Sequence, residues 1–359
     1  MKIIAIIGAR PQFIKHFAFE RACKGNLKLI TIHTGQHYDE NMSNVFFNQL
    51  GMNKPDYMLN IGSGNHGLQT ASMMIEIEKI IEVEEPDGMV VYGDTNSTLS
   101  GALVASKLNL PVFHIEAGLR SYNKEMPEEI NRVLTDHVSD SLFTPSDVAV
   151  KNLKKEGIIN NIFNVGDIMK DVIFYFKERK LIKKNIVYRE YYYVTIHRPY
   201  NTDSKQRLSY ILESLNDLEK KVIMSIHPRT SKLMKFYNIN ETNYANIKFI
   251  QPQSYLDNLS YLFNSSALIT DSGGMQKEAY WTRKKCVTIR KETEWIETLI
   301  NGNNILLFED LSTLNTILNN NCSNWNEDLY GKGNTSQEIV DILKQKLSNN
   351  SISNQINES

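Results

Sequence analysis

Apolar residues in this chain fall into short, β-branched runs separated by stretches with helical spacing, and the alternation persists from end to end. In the first half, the runs at 3–7, 28–33, 88–92, 111–115 and 141–143 read as buried strands. Residues 65–84 carry Leu68, Met73, Ile77 and Ile80 at helical intervals, which predicts an amphipathic helix. After Asn164-Val165-Gly166-Asp167 the chain turns polar and basic, so 165–184 reads as a linker plus a helix. A second alternating set then begins, with strands at 191–195, 221–225, 247–250, 267–270 and 286–289. This order predicts α/β architecture with parallel, doubly wound sheets in two domains, 1–168 and 169–335. Residues 336–347 read as a helix crossing back to the first domain. The stretch 348–359, rich in Ser and Asn and without an apolar face, reads as a disordered tail.

Composition narrows the class. A chain of 359 residues exceeds one ordinary core and fits two domains. With 40 basic against 41 acidic residues there is no electrostatic case for nucleic acid or an anionic membrane. No apolar run approaches the ~20 residues of a bilayer span. The opening Met1-Lys2-Ile3-Ile4-Ala5-Ile6-Ile7-Gly8 is a short run followed by Arg10 and Lys15, so it reads as a first buried strand and not as a signal peptide. Cys23, Cys286 and Cys322 are odd in number and widely spaced, which suits a reducing cytoplasm and gives no thiolate metal site.

The candidate chemistry lies where strands should end. Open parallel sheets bind ligands beyond the carboxyl ends of their strands. The strand at 88–92 runs into Gly93-Asp94-Thr95, and the one at 111–115 into Glu116-Ala117-Gly118-Leu119-Arg120, followed by Met126-Pro127-Glu128-Glu129-Ile130-Asn131-Arg132. Asp94, Glu116 and Glu128, set among His114, Arg120 and Arg132, suit proton transfer on an anionic substrate. On residue types alone, N-capping or ion pairing explains these carboxylates about as well. Gly8-Ala9-Arg10-Pro11 and Ser272-Gly273-Gly274 each join a strand to a helix, where backbone N–H groups attract anions. Arg10 and Lys15 would add charge at the first turn, and the Ser272 hydroxyl would donate at the second. His197 and His227 end strands of the second set.

Together these segments resemble the non-hydrolysing UDP-N-acetylglucosamine 2-epimerase family. The motifs are Gly8-Ala9-Arg10-Pro11, His33-Thr34-Gly35-Gln36-His37, Tyr92-Gly93-Asp94-Thr95, the Glu116 and Glu128 blocks, Ile196-His197-Arg198 and the segment from Asp271 through Ser272-Gly273-Gly274 to Glu278. The resemblance implies two Rossmann-like domains facing across a cleft, as in glycosyltransferases of the B type. It also implies a homodimer and neither a nicotinamide cofactor nor a metal. It assigns catalysis to Asp94, Glu116, Glu128 and His197, without saying which carboxylate is base and which is acid. Substrate contact falls to Arg10, Lys15, Arg132, His227, Ser272, Gly273, Gly274 and Glu278, with Glu278 on ribose hydroxyls. Gln36, His37 and Gln69 lie where some members bind a second UDP-sugar.

This chain departs from the usual family pattern at Ala9 and Gln12, where Thr and Glu are common, and at Pro199-Tyr200-Asn201 after His197-Arg198. Gly8-Ala9-Arg10-Pro11-Gln12 and Glu292-Thr293-Glu294-Trp295-Ile296-Glu297 are closer to the branch acting on UDP-2,3-diacetamido-2,3-dideoxyglucuronate. UDP-GlcNAc is the generic expectation. A 6-deoxy analogue, a hydrolysing epimerase, a UDP-sugar glycosyltransferase and an inactive sugar-nucleotide binder are the other readings.

Overall fold

The computed structural model describes residues 1–35, 51–184 and 190–357, with the side chains of Arg10 and of residues from 350 onward outside the description. It divides into two compact units: Met1–Phe174 with Asp328–Ser359, and Tyr175–Glu327.

Among the described residues, the first unit holds a seven-stranded parallel sheet ordered β3-β2-β1-β4-β5-β6-β7. Its strands are β1 (Lys2–Ile7), β2 (Lys28–His33), β3 (Tyr57–Met58), β4 (Gly88–Tyr92), β5 (Val112–Ile115), β6 (Ser141–Thr144) and β7 (Ile162–Asn164). The central strands are apolar on both faces because helices cover both, as parallel sheets require. Ile4, Ile6, Ile30, Ile32, Met89 and Val91 form one core layer with Met73, Ile77 and Ile80 of the His66–Glu84 helix. Leu68 departs from the sequence reading: it is 72 % exposed and lies off the buried stripe.

The C-terminal helix, Thr335–Asn357, belongs to the first unit and packs on the Arg10–Cys23 helix. Its start is pinned by Asp171, which accepts from Thr335 N at 3.1 Å, Ser336 N at 2.6 Å and Ser336 Oγ at 2.6 Å.

The second unit holds, among its described residues, a six-stranded parallel sheet ordered β10-β9-β8-β11-β12-β13. These are β8 (Tyr191–Thr195), β9 (Lys221–Ser225), β10 (Ile247–Ile250), β11 (Ala267–Thr270), β12 (Lys285–Thr288) and β13 (Asn304–Leu306). Both sheets reverse their strand order at one place, between β1 and β4 and between β8 and β11. Loops leaving two such neighbours diverge to opposite sides and open a crevice at the strand ends. The fold therefore marks two places for chemistry: Gly8 with Gly93-Asp94, and His197 with Asp271-Ser272.

Candidate active site

The first crevice is stitched by Gln12. Its Oε1 accepts from Gly8 N at 2.8 Å and Ala9 N at 3.0 Å, while its Nε2 donates to Tyr92 O at 2.9 Å and to Thr95 Oγ1 and Thr98 Oγ1, both at 3.0 Å. The ends of β1 and β4 are thereby clamped by one buried amide. Gly8 is required by close approach: a Cβ there would sit 2.1 Å from Ser97 Oγ and 2.3 Å from Thr34 Oγ1. The Arg10 side chain, and Gln36 and His37 altogether, lie outside the description.

One helical turn on, buried Lys15 donates to the Glu116 carboxylate. Glu116 leaves β5 with φ +72°, an αL backbone that a non-glycine residue seldom adopts. Its N–H and that of Ala117 both reach Phe143 O, at 3.1 and 3.0 Å, which fixes the unusual turn to β6. Gly93 separates the two strand ends, and a Cβ on it would lie 3.2 Å from Glu116 Oε2 and 3.5 Å from Lys15 Nζ.

Asp94 follows, its Oδ2 2.5 Å from Arg132 Nη2. Surrounding protein raises its carboxyl above the ordinary value, Glu116 adds to the rise, and Arg132 and Lys15 oppose it. Asp94, Glu116, Lys15 and Arg132 thus form one electrostatic group on the first unit. Gln69 is buried nearby through Asn96, which donates to it at 2.8 Å; Asn131 in turn donates to Asp94 O at 2.9 Å.

Glu128 and Glu129 differ sharply. Glu128, on the first turn of the Pro127–Val138 helix, is exposed and has no hydrogen bond or ion pair among the described residues. Glu129 is buried, accepts from Ser121 N, Ser121 Oγ and Tyr122 N at 2.9, 3.0 and 2.8 Å, and pairs with Arg132 at 2.9 Å. Burial alone would raise its carboxyl, but the Ser121 and Tyr122 donors and Arg132 hold it below the ordinary value. Sequence reasoning passed over Glu129, although an acid three residues before an Arg on a helix is a pairing signal. Arg120 and His114 also turn away from Asp94 and Glu116: both bind Asp136 at 2.7 Å, and Arg120 adds Glu156 at 2.7 Å.

In the second unit, His197 Nδ1 lies 3.0 Å from Asp271 Oδ1 and its ring stacks on His227 with centroids 5.2 Å apart. Asp271 is fully buried and collects His197 N at 3.0 Å, Arg198 N at 2.9 Å and Asn201 Nδ2 at 3.1 Å. Burial works against its charge, yet His197 and these donors lower its carboxyl below the ordinary value. Asp271 is thus the anchor of the His197 turn, and Asn201 is its partner. His227 caps the Pro228–Phe236 helix, its Nδ1 accepting from Arg229 N at 3.2 Å.

Ser272 opens the Gly273–Trp281 helix without using its hydroxyl as a cap, and Gly274 has open space where a Cβ would stand. Gly273 instead faces the Glu294 carboxylate, 2.4 Å from its would-be Cβ. Glu294 pairs with Arg290 at 3.0 Å. Glu278 is buried on the second turn of the same helix. A pocket of about 280 Å³ opens beside His227, walled by Ile226, Pro228, Phe249, Gln251 and Pro252 among others. Tyr255 packs against Phe176. Among the described residues there is no group of His, Cys, Asp and Glu arranged to hold a metal, and no helix long and apolar enough to cross a membrane.

Two doubly wound parallel sheets, with paired carboxylates and cations at one switch point and a His–Asp pair beside a Ser-Gly-Gly turn at the other, define an enzyme of the glycosyltransferase-B-like class. The family model described as UDP-N-acetylglucosamine 2-epimerase matches residues 21–344. The chain belongs to the UDP-N-acetylglucosamine 2-epimerase family and is an isomerase of that kind. It is 46 % identical to a UDP-N-acetylglucosamine 2-epimerase homolog of Methanococcus maripaludis, over 96 % of this chain and 99 % of the relative. It is 44 % identical to the UDP-2,3-diacetamido-2,3-dideoxy-D-glucuronate 2-epimerase of Pseudomonas aeruginosa, with the same coverages. The crystal structure of Methanocaldococcus jannaschii UDP-GlcNAc 2-epimerase in complex with UDP-GlcNAc and UDP superposes with a TM-score of 0.85 at 44 % identity, covering 96 % of this chain and all of that one.

Proposed function

We propose that this enzyme interconverts UDP-GlcNAc and UDP-ManNAc without hydrolysis. The observation that carries the proposal is the pair of carboxylates at neighbouring strand ends, Asp94 and Glu116, each with its own cation, Arg132 and Lys15. Carbon 2 of the sugar is not next to a carbonyl, so its proton is weakly acidic and direct inversion is slow. Elimination circumvents this. A carboxylate takes the carbon 2 proton, the carbon 1–oxygen bond breaks with its electron pair going to the diphosphate, and a 2-acetamidoglucal results. UDP then adds back to carbon 1 while a proton returns to the opposite face of carbon 2.

Asp94, Glu116 and Glu128 supply the proton carriers, and the raised carboxyl of Asp94 suits a group that must hold a proton as well as release one. His197, fixed by Asp271, serves the reacting centre. Lys15, Arg10, Arg132, His227 and the Ser272, Gly273 and Gly274 backbone stabilise the departing diphosphate, and Glu278 holds the ribose. No nicotinamide or metal enters these steps. The enzyme works in the cytoplasm on precursors of a surface polysaccharide. It acts as a homodimer.

Proton NMR of the purified protein with UDP-GlcNAc in deuterated water tests the proposal. UDP-ManNAc carrying deuterium at carbon 2 is the expected product. Free UDP with free sugar would indicate hydrolysis instead, and turnover only with an added acceptor would indicate a glycosyltransferase. The likeness to the Pseudomonas aeruginosa enzyme favours a second reading, UDP-2,3-diacetamido-glucuronate as substrate, which unchanged UDP-GlcNAc would bring forward.

A further inference from the structure

His114 is fully buried on β5, between two acceptors. Its Nδ1 lies 2.7 Å from Asp136 Oδ1, and its Nε2 lies 2.8 Å from Gly93 O. A carbonyl has no proton to give. Nor does Asp136, whose other oxygen meets the Arg120 guanidinium at 2.7 Å and accepts from Gly118 N at 3.1 Å. Both hydrogen bonds therefore require the ring to donate from both nitrogens. Asp136 from the Pro127–Val138 helix lies against the ring, and Arg120 from the turn after β5 pairs with both Asp136 and Glu156. The sheet neighbours are Val91 of β4 and Leu142 of β6, both apolar.

We propose that His114 is a positioning residue for the two catalytic carboxylates that donates from both ring nitrogens, a role that rests on the assignment of chemistry to Asp94 and Glu116. One of its protons fixes the Gly93 carbonyl, and the next peptide carries Asp94. On the far side of Gly93 lies the Glu116–Lys15 pair. Its other proton orients Asp136, whose second oxygen takes Gly118 N at 3.1 Å and so holds the turn containing Glu116. A neutral ring would have to abandon one of these anchors, and the strand ends that carry both carboxylates would shift relative to each other.

The ring is read directly by ¹⁵N NMR of wild-type enzyme labelled at its eight histidines, with Asp136→Asn to identify the His114 signals. The expected result, at about neutral pH, is a proton on each ring nitrogen. A neutral tautomer at that pH overturns the proposal. In turnover, His114→Gln, whose amide donates from a single nitrogen and so cannot reach acceptors on opposite sides of the ring, is expected to lose about 100-fold in kcat while KM and UDP affinity change little. Asp136→Asn should behave alike, so either variant suffices if the other does not fold. Full kcat in a folded variant overturns the positioning role when Asp94→Asn and Glu116→Gln are inactive. If those two variants also keep full activity, the carboxylate assignment has failed as well.

Discussion

Lys15 and Glu116 meet across 101 residues of sequence at the joint between β1, β4 and β5, with only Gly93 between them and the Asp94 turn. Neither partner reaches bulk water easily, so each neutralises a charge the other would leave buried. Replacing Lys15 by Met leaves the Glu116 carboxylate without its ammonium. The expected outcome is a fall of about 100-fold or more in turnover, with Lys15→Arg recovering part of it. Initial rates of epimer formation check this. A Lys15→Met enzyme at wild-type speed would show that the pair is structural only.

The neighbouring acids Glu128 and Glu129 should separate stability from chemistry. Glu129→Gln removes a charge that three donors and Arg132 use, at an expected cost of about 1–3 kcal/mol in unfolding free energy. Glu128→Gln touches no partner among the described residues, so its unfolding midpoint should match wild type. Its turnover should fall while UDP still binds. Urea unfolding and calorimetric UDP titration distinguish the two, and the Glu128 role fails if Glu128→Gln epimerises normally.

The same pair shows where sequence reasoning ran out. Apolar runs such as 88–92 and 267–270 were legible because a strand buried on both faces must be continuously apolar. The edge strands Tyr57–Met58, Ile162–Asn164 and Asn304–Leu306 were not, since two or three residues carry no period. Acidic positions at strand ends could be named, but their orientation could not. Glu128 and Glu129 lie about 100° apart around one helix, and only the packed Ser121–Tyr122 turn decides which one is buried. Gln12, Asp136 and Asp271 were missed as anchors for a related reason. Asp136 and Asp271 have partners distant in sequence, and Gln12 adds to a local capping contact with Ala9 bonds to Tyr92, Thr95 and Thr98 that no local spacing announces.

Asp171 offers a pH test away from the site. Burial raises its carboxyl to about 6, with Asp167 adding to the rise, although the Ser336 and Thr335 donors work the other way. The folded carboxyl holds its proton more tightly than the unfolded one. Between pH ~4 and ~6 the native state therefore binds more protons, and stability falls as pH rises through that window. Asp171→Asn cannot ionise and lacks this slope. Wild-type stability relative to Asp171→Asn should decline by up to about 3 kcal/mol across the window and then level off. Parallel denaturation curves at several pH values check it; a difference that is flat or rises with pH contradicts the assignment.

Gly118 is the strictest steric prediction. Its φ is +79°, and a Cβ would lie 2.5 Å from the Ala149 carbonyl oxygen, a backbone atom that no rotamer change can move. Both of its own polar groups are committed, N–H to Asp136 at 3.1 Å and C=O to Asn152 Nδ2 at 3.0 Å. The turn therefore cannot relax without breaking the contacts that hold Glu116 two residues earlier. Gly118→Ala should lower unfolding free energy by about 2–4 kcal/mol, because αL strain and the backbone clash add. Turnover should fall in the protein that remains folded, while UDP binding persists. A variant with wild-type stability would mean that the segment carrying Glu116 adopts a different backbone from the one described.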